Sequence, residues 1–145
     1  MQKIVPFLWF DGKLEEATRF YLSVFKNARV LSLDSMSATF EIEGQEFMAL
    51  NGGPMFKFNE AVSFFIRCES QDEVDDYWSK LTADGGAESR CGWLKDKFGL
   101  SWQVIPNELG SYLSDKDRTK ADRVLQAMLK MKKIDVAGLD AAYRG

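Results

Sequence analysis

The sequence predicts an α+β fold: two tandem βαβββ modules enclosing a cleft, followed by C-terminal helices. Three observations carry that prediction. First, Val5-Pro6-Phe7-Leu8-Trp9-Phe10 recurs as Val62-Ser63-Phe64-Phe65-Ile66-Arg67, at an offset of 57 residues. The same offset, without a gap, sets Glu15-Glu16-Ala17-Thr18-Arg19-Phe20-Tyr21 over Asp72-Glu73-Val74-Asp75-Asp76-Tyr77-Trp78. Second, the opening run of each copy is rich in branched and aromatic residues, as strands are, and the next run has helical spacing. Third, the rest of each copy reads as short strands separated by turn signals.

In order along the chain, Val5 to Phe10 is the opening strand. Asp11 follows it as a helix cap or turn former. Ala17, Phe20, Tyr21 and Val24 fall at i, i+3, i+4 and i+7, one face of a helix. Residues 28–33, 37–42 and 46–50 are strand candidates, with Glu43-Gly44-Gln45 as a hairpin turn. Module 1 thus covers about residues 1–52, and a linker with Gly52, Gly53 and Pro54 covers about 53–59. Asn51 and Asn59 bracket it as turn residues tolerant of positive φ.

Module 2, about 60–106, opens on the Val62 strand. Ser70 and Glu73 form a capping box for a helix carrying Val74, Tyr77, Trp78 and Leu81. Strands follow at 87–94 and 100–105, joined by Asp96-Lys97-Phe98-Gly99. In the tail, about 107–145, Ser114 and Asp117 are cap candidates for a helix with an apolar stripe of Ala121, Val124, Leu125, Met128 and Leu129. Lys130, Lys132 and Lys133 suit its C-terminal dipole. Asp135 caps a last short helix with Val136, Leu139 and Tyr143. The tail is expected to pack on the modules or on a partner subunit.

Composition excludes whole classes of chemistry. None of the 145 residues is histidine. That removes the usual neutral-pH base, the commonest zinc ligand and the partner of a Ser or Cys nucleophile. A net charge of −3 argues against nucleic acid. No apolar run is long enough to span a membrane, and the opening MQKIVPFLWFDGK lacks secretory-signal character. Cys68 and Cys91 form neither a disulfide scaffold nor a C-x-x-C pair, so a reduced, cytoplasmic setting is expected. Cys91, before Gly92-Trp93, reads as a small buried hydrophobe rather than a reactive thiol.

The tandem modules resemble the vicinal oxygen chelate superfamily of glyoxalase I, bleomycin-resistance proteins and extradiol dioxygenases. Within it, Phe7-Leu8-Trp9-Phe10-Asp11, Leu50-Asn51-Gly52-Gly53-Pro54, Cys91-Gly92-Trp93 and Asp96-Lys97-Phe98-Gly99-Leu100-Ser101-Trp102-Gln103 resemble the PhnB-like family. That family often carries the name 3-demethylubiquinone-9 3-methyltransferase. No Gly-rich strand–turn–helix supports an S-adenosylmethionine site, because neither Gly52-Gly53 nor Gly85-Gly86 leads into a helix. The resemblance implies four metal-ligand positions in the superfamily's enzymes. Two lie on the opening strands, near Val5 and Val62, and two on the closing strands, near Met48 and Gln103. Three apolar residues and an amide do not make a divalent-metal site, so no metal and no cofactor is expected.

Alternation places Phe7 and Trp9 on the cleft face with Val5, Leu50 with Met48, and Phe64 and Ile66 with Val62. The expected ligand-binding set is Val5, Phe7, Trp9, Met48, Leu50, Asn51, Val62, Phe64 and Gln103, an aromatic-walled pocket with one orienting amide. Core packing is the competing account of the aromatics, as turn formation is for Asn51. Glu46, beside Met48, is the one carboxylate to watch, against the plainer reading of an exposed glutamate at a turn. The expected function is metal-free capture of a small organic molecule by a homodimer. An enzyme with atypical metal ligands and a dimeric interaction module are the alternatives.

Overall fold

The computed structural model of the protein describes residues 1–145. It divides into two compact units, Met1–Phe58 and Asn59–Gly145. Each holds one four-stranded mixed sheet.

In the first unit the strands are β1 (Phe7–Phe10), β2 (Ala28–Leu33), β3 (Ser37–Ile42) and β4 (Gln45–Asn51), with α1 (Leu14–Val24) after β1. The sheet order is β1-β4-β3-β2. β1 runs parallel to β4, and the other pairs are antiparallel. This is a βαβββ module: a crossover helix is what allows the parallel pair. Helix α1 buries Leu14, Ala17, Thr18, Tyr21 and Val24. They meet the sheet face of Leu8, Phe10, Phe40, Phe47 and Ala49, all at most 6% exposed. Glu43 and Gly44 both take positive φ (50° and 80°) in the β3–β4 turn, the backbone that a two-residue hairpin requires.

Asp11 does not cap α1. The helix starts after Lys13 without a side-chain cap, and the Leu14 N–H donates to Asn51 Oδ1 at 3.0 Å. Asn51 Nδ2 donates to the Ser35 carbonyl at 3.1 Å. The cap therefore comes from the end of β4, a partner 37 residues away that no local pattern reveals. Neither Asn51 nor Asn59 takes positive φ. Asn59 forms an Asx turn instead, its Oδ1 accepting from the Ala61 N–H at 2.9 Å.

The second unit has β5 (Ser63–Cys68), α2 (Gln71–Thr82), a 3₁₀ turn (Ala83–Gly85), β6 (Ala87–Glu88), β7 (Trp93–Lys95) and β8 (Ser101–Pro106). The sheet order is β5-β8-β7-β6, with β5 parallel to β8. Ser70 caps α2 by accepting from the Glu73 N–H at 3.2 Å. The return bond from Glu73 goes one residue earlier than a standard capping box, to the Glu69 N–H. The run 87–94 is not one strand. It folds into the β6–β7 hairpin, in which Glu88 pairs with Leu94 and Cys91 and Gly92 take positive φ (58° and 85°).

Three helices follow: α3 (Asn107–Leu113), α4 (Arg118–Met128) and α5 (Val136–Arg144). The sequence pattern does not announce α3, a short helix with a glycine inside it and only Leu109 buried. Ser114 closes α3, while Asp117 caps α4 by accepting from the Thr119 and Lys120 N–H groups. Asp135 precedes α5 without a side-chain cap bond, and the Val136 N–H donates to Gln71 Oε1 at 2.7 Å. The tail packs on its own unit. Ile105, Leu109, Val124, Ile134 and Leu139 form one buried cluster. The Cys91 and Gly92 N–H groups donate to the Met131 and Lys132 carbonyls at 2.9 and 2.8 Å.

The two modules repeat with different offsets in their strands and helices. Helix positions repeat at 57: Ala17, Tyr21 and Val24 are buried, and so are Val74, Trp78 and Leu81. In the sheets Phe7 lies opposite Met48, and Phe65, not Phe64, lies opposite Gln103. The opening strands therefore correspond at 58, because the β–α connection in module 2 is one residue shorter. A one-residue shift reverses every side chain of a strand. Phe64 and Ile66 thus face α2 with Trp102 and Val104, and the Phe64 ring sits 5.5 Å from that of Trp102. This corrects the expectation that Phe64 shares a face with Gln103. Val62 lies in a bend before β5 and is 64% exposed.

Candidate functional site

Each sheet has one face turned away from its helix. In module 1 that face carries Phe7 and Trp9 on β1, opposite Met48 and Leu50 on β4. Thr39 and Glu41 continue it on β3, opposite Met48 and Glu46. Phe7 is 53% exposed and Met48 36%, while Trp9 and Leu50 are half-buried. Val5 precedes β1 and is half-buried. The structure thus brings Phe7, Trp9, Met48 and Leu50 together as the sequence leads one to expect.

Trp9 is fixed from three sides. Its Nε1–H donates to the Gly53 carbonyl at 2.8 Å. Phe56 meets its ring edge-on, with centroids 4.9 Å apart. Gly52 lies flat beneath the indole: a Cβ there would stand 2.3 Å from Trp9 Cε2. The Gly52→Ala variant is expected to displace the ring, break the Gly53 bond and cost about 1–3 kcal/mol. A lower midpoint in urea checks it, and a midpoint equal to wild type would show that the indole has room to spare.

The polar groups on this face are peripheral. Glu41 pairs with Arg29 at 3.3 Å, and Glu46 stands opposite Glu41 across the β3–β4 ladder. Asn51 has both ends of its amide occupied by backbone, which accounts for it as a structural residue.

In module 2 the open face carries Ser63, Phe65 and Arg67 on β5, Ser101, Gln103 and Ile105 on β8, and Trp93 and Lys95 on β7. Gln103 Nε2 donates to Ser63 Oγ at 2.9 Å. The Gln103 amide is therefore held by a side chain of the neighbouring strand. Phe65 is 51% exposed, with the Arg67 guanidinium 5.9 Å from its ring centre. The tail covers the Ile105 end of the face. Ser63 and Phe65 escape sequence reasoning because an ungapped repeat assigns the wrong parity to β5, and Trp93 because the run 87–94 reads as one strand. Phe56 escapes it because it sits in a segment without periodicity. The three-residue connection Asp11-Gly12-Lys13, against the two residues Glu69-Ser70, was the signal that could have exposed the shift.

The two cysteines differ in setting, and Cys91 is half-buried in a turn rather than the buried residue expected. Cys68 is fully buried, and burial, reinforced by the Glu73 carboxylate, pushes its thiol up to about 12. Cys91 occupies a strained turn position.

Two mixed βαβββ sheets are the architecture of the glyoxalase-like fold, and comparisons with solved structures agree. A glyoxalase-related enzyme from Fulvimarina pelagi has a TM-score of 0.56 at 15% identity, covering 75% of this chain and 91% of that one. The fosfomycin resistance protein FosX from Listeria monocytogenes, in complex with Mn(II) and sulfate, has a TM-score of 0.54 at 16% identity, covering 70% and 87%. The PhnB protein from Bacillus cereus is 35% identical, with a TM-score of 0.67, covering 72% of this chain and 99% of that one. Residues 2–105 match the family 3-demethylubiquinone-9 3-methyltransferase, and the chain belongs to that PhnB-like family. Helices α3–α5 lie beyond the match. No curated protein matches the chain.

The family name speaks of methyl transfer, and the two glycine pairs are where a cofactor-binding turn would be sought. Gly52 and Gly53 precede a stretch without helix or strand, and Gly85 and Gly86 precede β6. Neither is the Gly-rich strand–turn–helix of a cofactor-binding doubly wound sheet. The metal chemistry of the superfamily finds no donor set either. Sheet register puts Ser63, rather than Val62, opposite Ser101 at the start of β5. Val5, Met48, Ser63 and Gln103 offer an alkyl group, a thioether, a hydroxyl and an amide, which do not fit a divalent first-row cation. No three Cys, Asp or Glu side chains gather as a metal-holding group anywhere in the chain. No helix is long and apolar enough to cross a membrane.

Proposed function

We propose that the protein captures a small, flat, apolar or aromatic organic molecule on the open face of module 1, without a metal and without methyl transfer. One observation carries the reading: Phe7, Trp9, Met48, Leu50 and Phe56 form a partly exposed apolar surface on a sheet whose other face is fully packed. Exposed apolar patches of this kind mark binding surfaces. Trp9, held by Gly53 and Phe56, needs little ordering on binding. Its polar tip is already bonded and Gly52 and Phe56 cover part of the ring, which leaves the remaining exposed part of the indole for a ligand.

A thermal-shift screen with flat aromatic compounds tests the proposal. A ligand at roughly 100 times its dissociation constant adds about 2.7 kcal/mol to the native state. The shift should vanish in Trp9→Ala while persisting in a control variant of exposed Arg19. Hits that bind Trp9→Ala as tightly as wild type, or a broad screen with none, would overturn it.

A homodimer is the second part of the proposal. The outermost strand β2 exposes Val30 (38%) and Leu31 (45%), apolar groups suited to burial against a second copy. Light scattering behind a sizing column reads it directly. The two unpaired cysteines fit the reducing, cytoplasmic setting proposed with it.

A further inference from the structure

We propose that module 2 carries a second binding site, for a small zwitterion of the amino-acid class, seated in the cavity that the Lys95–Glu60 ion pair shares with the buried Ser101 hydroxyl. Ser101 is 1% exposed, and its Oγ has no hydrogen-bond partner. Buried hydroxyls are nearly always paired, so an unpaired one calls for a reason.

The strand order supplies it. β8 lies between β5 and β7. Ser101, at the start of β8, has Ser63 on one side and Lys95 on the other. Glu60 precedes β5 by a few residues, and Lys95 Nζ reaches Glu60 Oε1 at 2.5 Å. The ion pair joins residues from the two flanks of β8 beside Ser101, and the hydroxyl lines one cavity with both of them while bonding neither. Both partners are well exposed, 42% for Lys95 and 62% for Glu60. Exposed pairs of this kind hold weakly and open easily.

Beneath and beside the pair lies a cavity of about 290 Å³, whose lining includes Glu60, Glu88, Ser89, Trp93, Lys95 and Ser101. Its charges select the ligand. One carboxylate faces one ammonium, so a lone anion on Lys95 strands Glu60, and a lone cation on Glu60 strands Lys95. A molecule with both charges satisfies each: its carboxylate takes Lys95 and the Ser101 O–H, and its ammonium takes Glu60. Glu88 shares the helix side with Leu94, where its Oε2 accepts from Trp78 Nε1 at 2.6 Å, so it lends the rim its backbone and leaves the charge balance to Glu60 and Lys95. Trp93, half-buried on the same sheet face as Lys95, offers an indole to the ligand's side chain. The site shares no residue with the aromatic face of module 1 and stands or falls without it.

Amide chemical-shift titration of the full chain tests the proposal. The probes are L-phenylalanine, its methyl ester (cation only) and N-acetyl-L-phenylalanine (anion only), each to about 10 mM, a range suited to millimolar dissociation constants. The free amino acid should give saturable shifts at residues 60, 89, 93–95 and 101, and each singly charged analogue should bind at least about tenfold more weakly. Ser101→Ala should weaken the zwitterion by about three- to tenfold while raising the melting temperature of the free protein, because it removes an unsatisfied buried group. Equal binding of all three probes, no saturable shift at these residues, or unchanged affinity in Ser101→Ala would overturn the proposal. Shifts confined to Phe7, Trp9 and Met48 would also overturn it, and would assign the ligand to module 1.

Discussion

Replacing Asp96 by alanine is expected to lower the unfolding free energy by roughly 3–4 kcal/mol, the largest single loss in module 2. Asp96 is 2% exposed. Its Oδ1 accepts from the Phe98 and Leu100 N–H groups at 2.9 and 3.1 Å, and its Oδ2 from Trp102 Nε1 at 2.9 Å. One carboxylate thus closes the β7–β8 turn and satisfies a buried indole. Alanine strands all of these donors in a dry site, and each orphaned donor costs about 1–3 kcal/mol. Asp96→Asn keeps an acceptor for the turn but turns an NH₂ toward the indole N–H, so about half the loss is expected. Urea denaturation followed by tryptophan fluorescence measures both. An alanine variant within about 1 kcal/mol of wild type would show that water replaces the carboxylate and that the site is wetter than its burial implies.

Gly92→Ala is expected to cost about 3 kcal/mol and to loosen the helical tail. Two causes act together. Gly92 sits at φ +85°, a region that costs a residue with a Cβ about 1–2 kcal/mol. A Cβ there would also lie 2.6 Å from Ile105 Cδ1, 3.0 Å from the Val104 carbonyl and 3.1 Å from Ile134 Cγ1. Val104 is backbone and cannot yield cheaply, so the strain falls on Ile134 and the segment that carries it. That segment is held to the same turn by the Cys91 and Gly92 N–H bonds. Limited proteolysis should cut the variant between α4 and α5 while wild type resists, and an unchanged digestion pattern would separate the strain from the tail's docking.

Most of the architecture was legible because it rests on local patterns. The spacing of Ala17, Tyr21 and Val24, the Ser70 cap, the Asp117 cap and the Glu43–Gly44 turn each encode their geometry within a few residues. The module 1 face was legible too, since Phe7, Trp9, Met48 and Leu50 obey simple alternation. What was hidden depends on distant partners. Asn51 looked free for a ligand but caps α1 from across the sheet. The run 87–94 looked continuous, yet its middle makes the turn that receives the tail. Phe64 looked like a copy of Phe7, but a shorter connection to α2 sends it to the opposite face. Periodicity gives the spacing of side chains along one strand, and only pairing with β8 fixes which way β5 points.

The shorter connection also has a bearing on how tandem modules diverge. In module 1 the opening strand presents Phe7 and Trp9 to the open side; in module 2 it presents Ser63, Phe65 and Arg67. Much of that contrast needs no substitution at the site, because removing one residue between strand and helix exchanges the inner and outer sets of a strand at a stroke. A single-codon deletion in a connecting loop is therefore a route by which a repeated unit can acquire a new open face, and a new inner one, without a substitution in the strand. Restoring the missing residue between Cys68 and Gln71 would run the same step backwards.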